Sequence, residues 1–229
     1  MIVKKYKAVV NELLNPYEDV FQLELITQGA GFRFLPGQFL HLALDSDYDG
    51  VGQWPESRCF SMQSSPSEKN LKLTFSLKGG FTTRMRDELQ KGSQVWLKMP
   101  YGDLFVRDHR KTKTVFIAGG TGITPFMSLF SHPSFAEYSE PRLYLGFRSA
   151  GYDIFSTEIG AMFSKNPGSI LRVFYEDVQG RLDIERIFAE NGLPTSYFIS
   201  GPPEMIRSFR AYLLSQDVDP QNILTDDWE

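Results

Sequence analysis

The chain has 229 residues, 41% hydrophobic and 23% charged, and its 24 basic and 28 acidic side chains give a formal charge of -4. That length admits one large domain or two small ones, and the acid excess argues against a general polyanion binder such as a nucleic-acid protein. The single cysteine, Cys59, excludes an internal disulfide and an all-cysteine iron–sulfur or zinc site held by this chain alone, and three scattered histidines form no HExxH pattern, so no metal site is expected.

In chain order, Tyr6 to Val10 predicts a short strand. Residues 20–26 alternate cleanly, the period of a half-buried strand. Pro36-Gly37 is a turn, followed by a strand over 38–44 and a polar, glycine-bearing loop over 45–55. Further strands are predicted over 58–63, 71–77 and 94–99. Gly79-Gly80 introduces a helix over 82–90, with Met85 and Leu89 on one face. Several short strands and one helix predict a small antiparallel barrel. The polar run 107–111 is the best boundary, giving units at 1–108 and 112–229. Beyond it, unbroken apolar runs at 114–118, 142–146, 171–175 and 196–199 alternate with helical patterns, among them 183–191 and 203–215. That is the signature of a parallel sheet covered on both faces. The fold class expected is therefore two-domain β + α/β: an N-terminal antiparallel β barrel followed by a parallel-sheet nucleotide-binding domain. The start, Met1 to Lys7, is basic without an apolar segment after it, and no stretch approaches 18 apolar residues. A cytoplasmic protein with no membrane span is expected.

Two turns carry candidate chemistry. Gly119-Gly120-Thr121-Gly122-Ile123-Thr124-Pro125 ends one apolar strand and opens a helix. Glycines let the backbone approach a ligand closely, and free N–H groups at a helix start attract phosphate oxygens. The loop reads as a pyrophosphate site or as a tight strand-to-helix turn, and it has neither Walker A nor GxGxxG spacing. Ser200-Gly201-Pro202-Pro203 follows a second apolar strand in the same way. Two such turns in one parallel sheet point to a ligand at its carboxyl edge.

With these residues in view, the chain resembles the ferredoxin–NAD(P)H reductase superfamily over nearly its whole length and in the right order. Arg58-Cys59-Phe60-Ser61 resembles the family's Arg-x-Tyr-Ser flavin motif, and Gly79-Gly80-Phe81-Thr82 its phosphate-holding turn. Pro36 to Phe39 and Pro100 to Gly102 match turns of the barrel, Gly119 to Pro125 the nicotinamide pyrophosphate loop, and Ser200 to Pro203 the Cys-Gly-x-x segment. The tail Ile223 to Glu229 resembles one that ends beside the flavin with an acid and an aromatic. The resemblance implies bound FAD, favoured over FMN. Arg58 would hold a phosphate, or serve only as a surface ion-pair partner. Phe60 would pack on the ring system, or simply in the core. Cys59 reads as a small hydrophobe and not a nucleophile. Ser61 would donate to flavin N5, and Gly79, Gly80 and the amides of Phe81, Thr82 and Thr83 would complete a pyrophosphate cradle. Gly120, Thr121, Gly122, Gly201 and Pro202 would hold the nicotinamide dinucleotide, with Ser200 beside the nicotinamide and Trp228 as a lid, or as no more than an exposed ring at a ragged end. Phe60 stands where the family has tyrosine, and Ser200 where many members have cysteine.

In the family the chain resembles, nucleotide selectivity lies after the second and third strands of the nucleotide unit. There Arg148 would meet a 2′-phosphate, whereas Glu176-Asp177 either suits a ribose hydroxyl and repels a phosphate, with Arg181 to offset it, or is no more than a solvated turn, so NADH is slightly favoured over NADPH. The implied activity is hydride transfer from NAD(P)H to FAD, then electron release to a separate acceptor: a ferredoxin, flavodoxin, cytochrome or oxygenase component, or a small molecule. No iron–sulfur cluster is expected in this chain. The alternatives are a free-flavin reductase and a non-enzymatic nucleotide-sensing or docking subunit.

Overall fold

Alternation in the first half resolves into six antiparallel strands in a computed structural model that describes residues 2–29 and 31–226. These are β1 (Lys4–Tyr17), β2 (Val20–Thr27), β3 (Phe39–Ala43), β4 (Ser57–Ser61), β5 (Leu71–Ser76) and β6 (Gln94–Tyr101), with helix α1 (Gly80–Glu88) between the last two. Their order is β4-β3-β6-β1-β2-β5. The inward set (Leu40, Leu42, Leu73, Leu97, Met99) is fully buried, and Phe81 and Met85 of α1 pack onto it. The sheet rolls until its two edges meet beyond β4. There the Gln63 amide donates to the Lys72 carbonyl at 2.9 Å, and the buried Thr74 hydroxyl donates to the Gln63 side chain at 2.5 Å. Strands β4 and β5 themselves do not pair. A seam therefore stays open between Arg58–Ser61 and Thr74–Ser76, where edge backbone groups lack ladder partners.

The second half is a five-stranded parallel sheet of order β11-β10-β7-β8-β9. Its elements in chain order are β7 (Thr114–Gly119), α2 (Thr124–Phe130), β8 (Arg142–Phe147), α3 (Ser156–Phe163), β9 (Ile170–Tyr175), α4 (Glu176–Gln179), α5 (Ile184–Asn191), β10 (Ser196–Ser200), α6 (Pro203–Ser215) and β11 (Ile223–Thr225). Phe116, Leu143, Leu145 and Phe198 fill one face, and Val115, Ile117, Tyr197 and Ile199 the other. Both faces are covered, which is why these strands read as unbroken apolar runs. The chain moves outward from β7 to β9 and then returns to the far side of β7 with β10. That reversal opens a crevice at the carboxyl ends of β7 and β10, where both glycine turns lie.

Four elements depart from the expectation. β1 runs on past Val10 to Tyr17, through register shifts after Val10 and after Leu14. α3 and β11 carry too few periodic residues to be read from sequence. Glu176-Asp177 opens the short helix α4. Between the two sheets, His109 of the polar run is clamped. Its Nδ1 faces the Arg107 carbonyl at 2.7 Å and its Nε2 the Tyr138 hydroxyl at 2.6 Å. A carbonyl only accepts, so Nδ1 carries the hydrogen and Nε2 accepts from Tyr138. Burial holds the His109 pKa below its usual value.

Candidate functional site: a cavity between the two sheets

The barrel seam and the crevice of the parallel sheet face one another across a cavity of about 1130 Å³. Arg58, Cys59, Phe60 and Ser61 line one side, with Thr74, Phe75 and Ser76 of β5. Gly79, Gly80, Phe81 and Thr82 line it at the start of α1. Gly120, Thr121 and Gly122, then Ser200, Gly201 and Pro202, line the opposite wall, and Arg148 and Glu176 its far end. Residues scattered over more than 140 positions thus share one space. Thr83 does not join them: its amide makes the first bond of α1, to the Gly79 carbonyl at 3.0 Å. The Gly80, Phe81 and Thr82 amides ahead of it have no intrahelical acceptor. The Thr82 hydroxyl accepts from the Lys78 and Gly79 amides at 2.9 and 3.3 Å, so it shapes the turn. A Cβ on Gly79 or Gly80 would meet nothing within 4 Å, so that turn is open toward a ligand.

The two glycine turns of the parallel sheet are built differently. A Cβ on Gly122 would lie 2.6 Å from Gly201 Cα, Gly201 N and the Ser200 carbonyl. A Cβ on Gly201 would lie 3.0 Å from Gly119 N and 2.7 Å from the Met205 methyl, and Gly201 has φ +150°. Gly122 and Gly201 therefore let two adjacent strand ends touch backbone to backbone, while Gly119 leaves room for the Pro202 ring and the Met205 side chain. Gly120, at φ +55°, has no neighbour in its Cβ direction and presents the open face.

Arg58 is half-exposed. Its guanidinium pairs with Glu56 at 3.1 Å and stacks over the Phe81 ring at 5.2 Å. The stack aims the side chain along the wall, and an incoming phosphate must compete with Glu56. Phe60 is both things the sequence allowed, a core residue at 8% exposure, edge-on to Phe75 at 6.1 Å, and a cavity-lining ring. The Cys59 sulfur lies 3.6–3.7 Å from the His41 ring nitrogens, and burial pushes its thiol pKa up, with Arg58 opposing. A raised pKa suits packing and not nucleophilic work.

Ser61 and Ser200, 139 positions apart in sequence, meet at one carboxylate. Both hydroxyls donate to Asp226 Oδ2 at 3.2 Å. Parallel pairing of β11 with β10, continued by the Asp226 amide on the Ile199 carbonyl at 3.0 Å, sets that carboxylate beside Ser200. The Ser61 proton is thus committed to Asp226, and Ser61 donates to a ligand only by releasing it. What both serines offer the cavity as they stand is acceptor lone pairs. Sequence reading placed an acid in this tail without singling out Asp226, and Trp228 lies outside the described residues. At the far end, Glu176 pairs with Arg181 at 2.8 Å, and Arg148 lies over the Tyr152 ring at 5.4 Å. Among the described residues no group of His, Cys, Asp and Glu is arranged to hold a metal ion, and no helix is long and apolar enough to cross a membrane.

No protein-family model matches the chain. It is 25% identical over 235 residues to a flavohemoprotein of Rhizobium meliloti, covering 91% of this chain and 57% of that protein. It is 25% identical over 213 residues to the reductase component of propane 2-monooxygenase from Mycolicibacterium smegmatis, covering 85% and 59%. Its fold superposes on a cytochrome P450 reductase from Amycolatopsis with a TM-score of 0.83 at 21% identity, over 98% of this chain and 70% of that one. The chain thus has the fold of that solved reductase and is similar in sequence to the reductase portions of such proteins. That fold joins an antiparallel sheet to a parallel one, as this chain does. It spans somewhat over half the length of these curated relatives.

The cavity can be tested, by its lining, against the flavin and nicotinamide dinucleotide that the resemblance implies. It is larger than a drug-sized site. Its open glycine turn with free amides suits a pyrophosphate, its unpaired β4 edge suits the hydrogen-bonding rim of a flavin, and Phe60 and Phe81 supply apolar surface.

Proposed function

We propose that the chain is the flavin- and nicotinamide-binding part of a reductase that passes hydride from NAD(P)H to FAD and electrons to a separate acceptor. The carrying observation is that both glycine turns and the Arg58–Ser61 segment face one cavity, with Ser61 and Ser200 fixed on the same carboxylate. FAD bound in the seam would supply the hydride acceptor and the outlet for electrons. The chain's own part is placement. The amides of Gly80, Phe81 and Thr82 and the guanidinium of Arg58 would hold the flavin pyrophosphate, and the β4 edge the ring. Gly120 and Thr121 would seat the dinucleotide pyrophosphate. Ser61 and Ser200, polarised by Asp226, would offer acceptors to a carboxamide and hold the nicotinamide in register, the main requirement of hydride transfer. The two serines come from opposite sheets, so the site is complete only when the sheets are docked. We place the boundary between the two units in 109–111, beside the His109 clamp.

The same reading favours NADH. Glu176 sits at the carboxyl end of β9 on the cavity wall, where it would accept from a ribose hydroxyl, and its ion pair occupies Arg181, a cation that a 2′-phosphate needs. An oxygenase or haem partner as acceptor is supported by what the relatives are named for. The test is to load the protein with FAD, exclude oxygen, and add NADH or NADPH in parallel. Faster bleaching of the visible flavin bands by NADH is expected. No bleaching by either refutes the reductase reading, and flavin lost on gel filtration while turnover persists would move the assignment to a free-flavin reductase.

A further inference from the structure

The β1–β2 hairpin reaches across the cavity and touches the segment after β8. Tyr17 and Tyr152 pack edge to face at 4.9 Å and 78°. The Tyr152 hydroxyl donates to Glu18 Oε2 at 2.5 Å. A Cβ on Gly151 would lie 2.3–2.6 Å from three atoms of the Tyr17 side chain, so glycine is what lets that ring seat on the backbone. The hairpin tip is itself shaped for the contact. Glu18 has φ +38°, a conformation L residues rarely adopt. The Asn15 side-chain amide braces the turn by donating to the Glu18 and Val20 carbonyls at 2.9 and 2.8 Å.

On its other side Tyr152 carries Arg148, whose guanidinium lies over the ring at 5.4 Å. The Arg148 carbonyl accepts from the Asp177 amide at 3.2 Å, which ties the same segment to α4 and Glu176. One ring thus faces Arg148, meets Tyr17 at its edge and holds Glu18 through its hydroxyl. A shift of the hairpin moves the ring on which Arg148 is stacked.

Resting on the reductase reading, we infer that Glu18 and Tyr152 are positioning residues. They clasp the barrel to the nucleotide half and fix Arg148 where the adenosine side of the dinucleotide, with its ribose hydroxyls and phosphates, meets the crevice. A guanidinium held over a ring loses part of its freedom to swing into solvent, and its remaining N–H groups stay near the cavity's far end, where such oxygens would lie. The barrel hairpin therefore sets nucleotide affinity although it contributes no glycine turn and no phosphate ligand.

The experiment uses the full chain loaded with FAD and the probe ADP-ribose, which carries the adenosine and pyrophosphate but no nicotinamide. Binding is read by calorimetry, independently of turnover. Glu18→Ala removes the charged acceptor and Tyr152→Phe the donor of one hydrogen bond, and each is expected to weaken ADP-ribose binding about tenfold. Flavin occupancy stays unchanged. Glu18→Gln keeps an acceptor for the tyrosine and is expected to bind within about two-fold of the parent. In NADH oxidation the first two variants raise KM and leave kcat in place. Unchanged ADP-ribose affinity in Glu18→Ala, equal losses in Glu18→Ala and Glu18→Gln, or a parent protein that does not bind ADP-ribose each overturns the clasp. A parent that binds ADP-ribose, loses it in Glu18→Ala, yet never bleaches flavin leaves the clasp standing and removes the reductase reading.

Discussion

Replacing Gly122 by alanine pushes a methyl group into the backbone of the neighbouring strand-end turn. The new Cβ would sit 2.6 Å from Gly201 Cα, Gly201 N and the Ser200 carbonyl, against 3.4 Å at the short end of ordinary contact. The two turns must part by about 0.8 Å, and all three obstacles are main chain, so no side chain can swing aside. Overpacking of this kind costs about 1–3 kcal/mol. For a chain of this length each kcal/mol moves Tm by about 2–4 °C, so a fall of roughly 2–12 °C is expected. The displaced turn carries Ser200 away from the carboxylate it shares with Ser61, so bleaching by NADH slows as well. Gly160→Ala is the matched control. It lies mid-helix in α3 with nothing within 4 Å of its Cβ direction, and alanine there gains up to about 1 kcal/mol of helix propensity. Scanning calorimetry and stopped-flow absorbance on the two variants decide the matter. Parent-like Tm and bleaching rate in Gly122→Ala refute the argument that these glycines exist for close approach.

Four further outcomes are expected. Arg58→Ala removes a charge-assisted phosphate partner and lowers FAD affinity about tenfold, read by flavin fluorescence titration; unchanged affinity would remove the phosphate role. Glu176→Gln frees Arg181 and takes a carboxylate off the cavity wall, so the KM ratio of NADPH to NADH falls, as parallel steady-state assays will register. Burial holds His109, and His41 likewise, below the usual imidazole pKa of 6.5. The unfolded chain then binds more protons just below pH 6.5, so their contribution to stability is complete above that value and is lost as pH falls from 6.5 toward the depressed folded pKa. Tm measured from pH 7.5 down to 5.5 should drop, with a shallower slope in His109→Gln. Cys59→Ala should keep its flavin, and the native thiol should react slowly with iodoacetamide at pH 7, since burial raises its pKa.

Much of this architecture is written locally. Clean alternation over 20–26 and 71–77 and unbroken apolar runs such as Val115 to Ala118 mark strands because sheet burial imposes those periods. The glycine turns were legible for a similar reason, since each sits between an apolar strand and a helix start. What the sequence hides is whatever depends on a partner far along the chain. Nothing near Gly122 says that its empty side is filled by Gly201. Thr83 reads as a cradle amide in sequence because only the helix start in the structure shows that its N–H is already used. β11 is three residues long and exists through its pairing with β10, so the place of Asp226 under Ser61 and Ser200 could not be read from the tail alone. Glu18 and Tyr152 stand in unremarkable local sequence, and their meeting is a product of docking the two sheets. α3 is hidden because Gly160 interrupts an already short helical pattern.

The proposed function requires direct hydride passage from a nicotinamide to a flavin within one cavity. Anaerobic rapid mixing of the FAD-loaded protein with NADH, and with NADH deuterated at the transferred C4 position, tests it most directly. Rapid bleaching that slows several-fold with the deuterated nucleotide is the predicted result. Bleaching that fails with NADH and NADPH alike, in protein shown to hold its flavin, would contradict it.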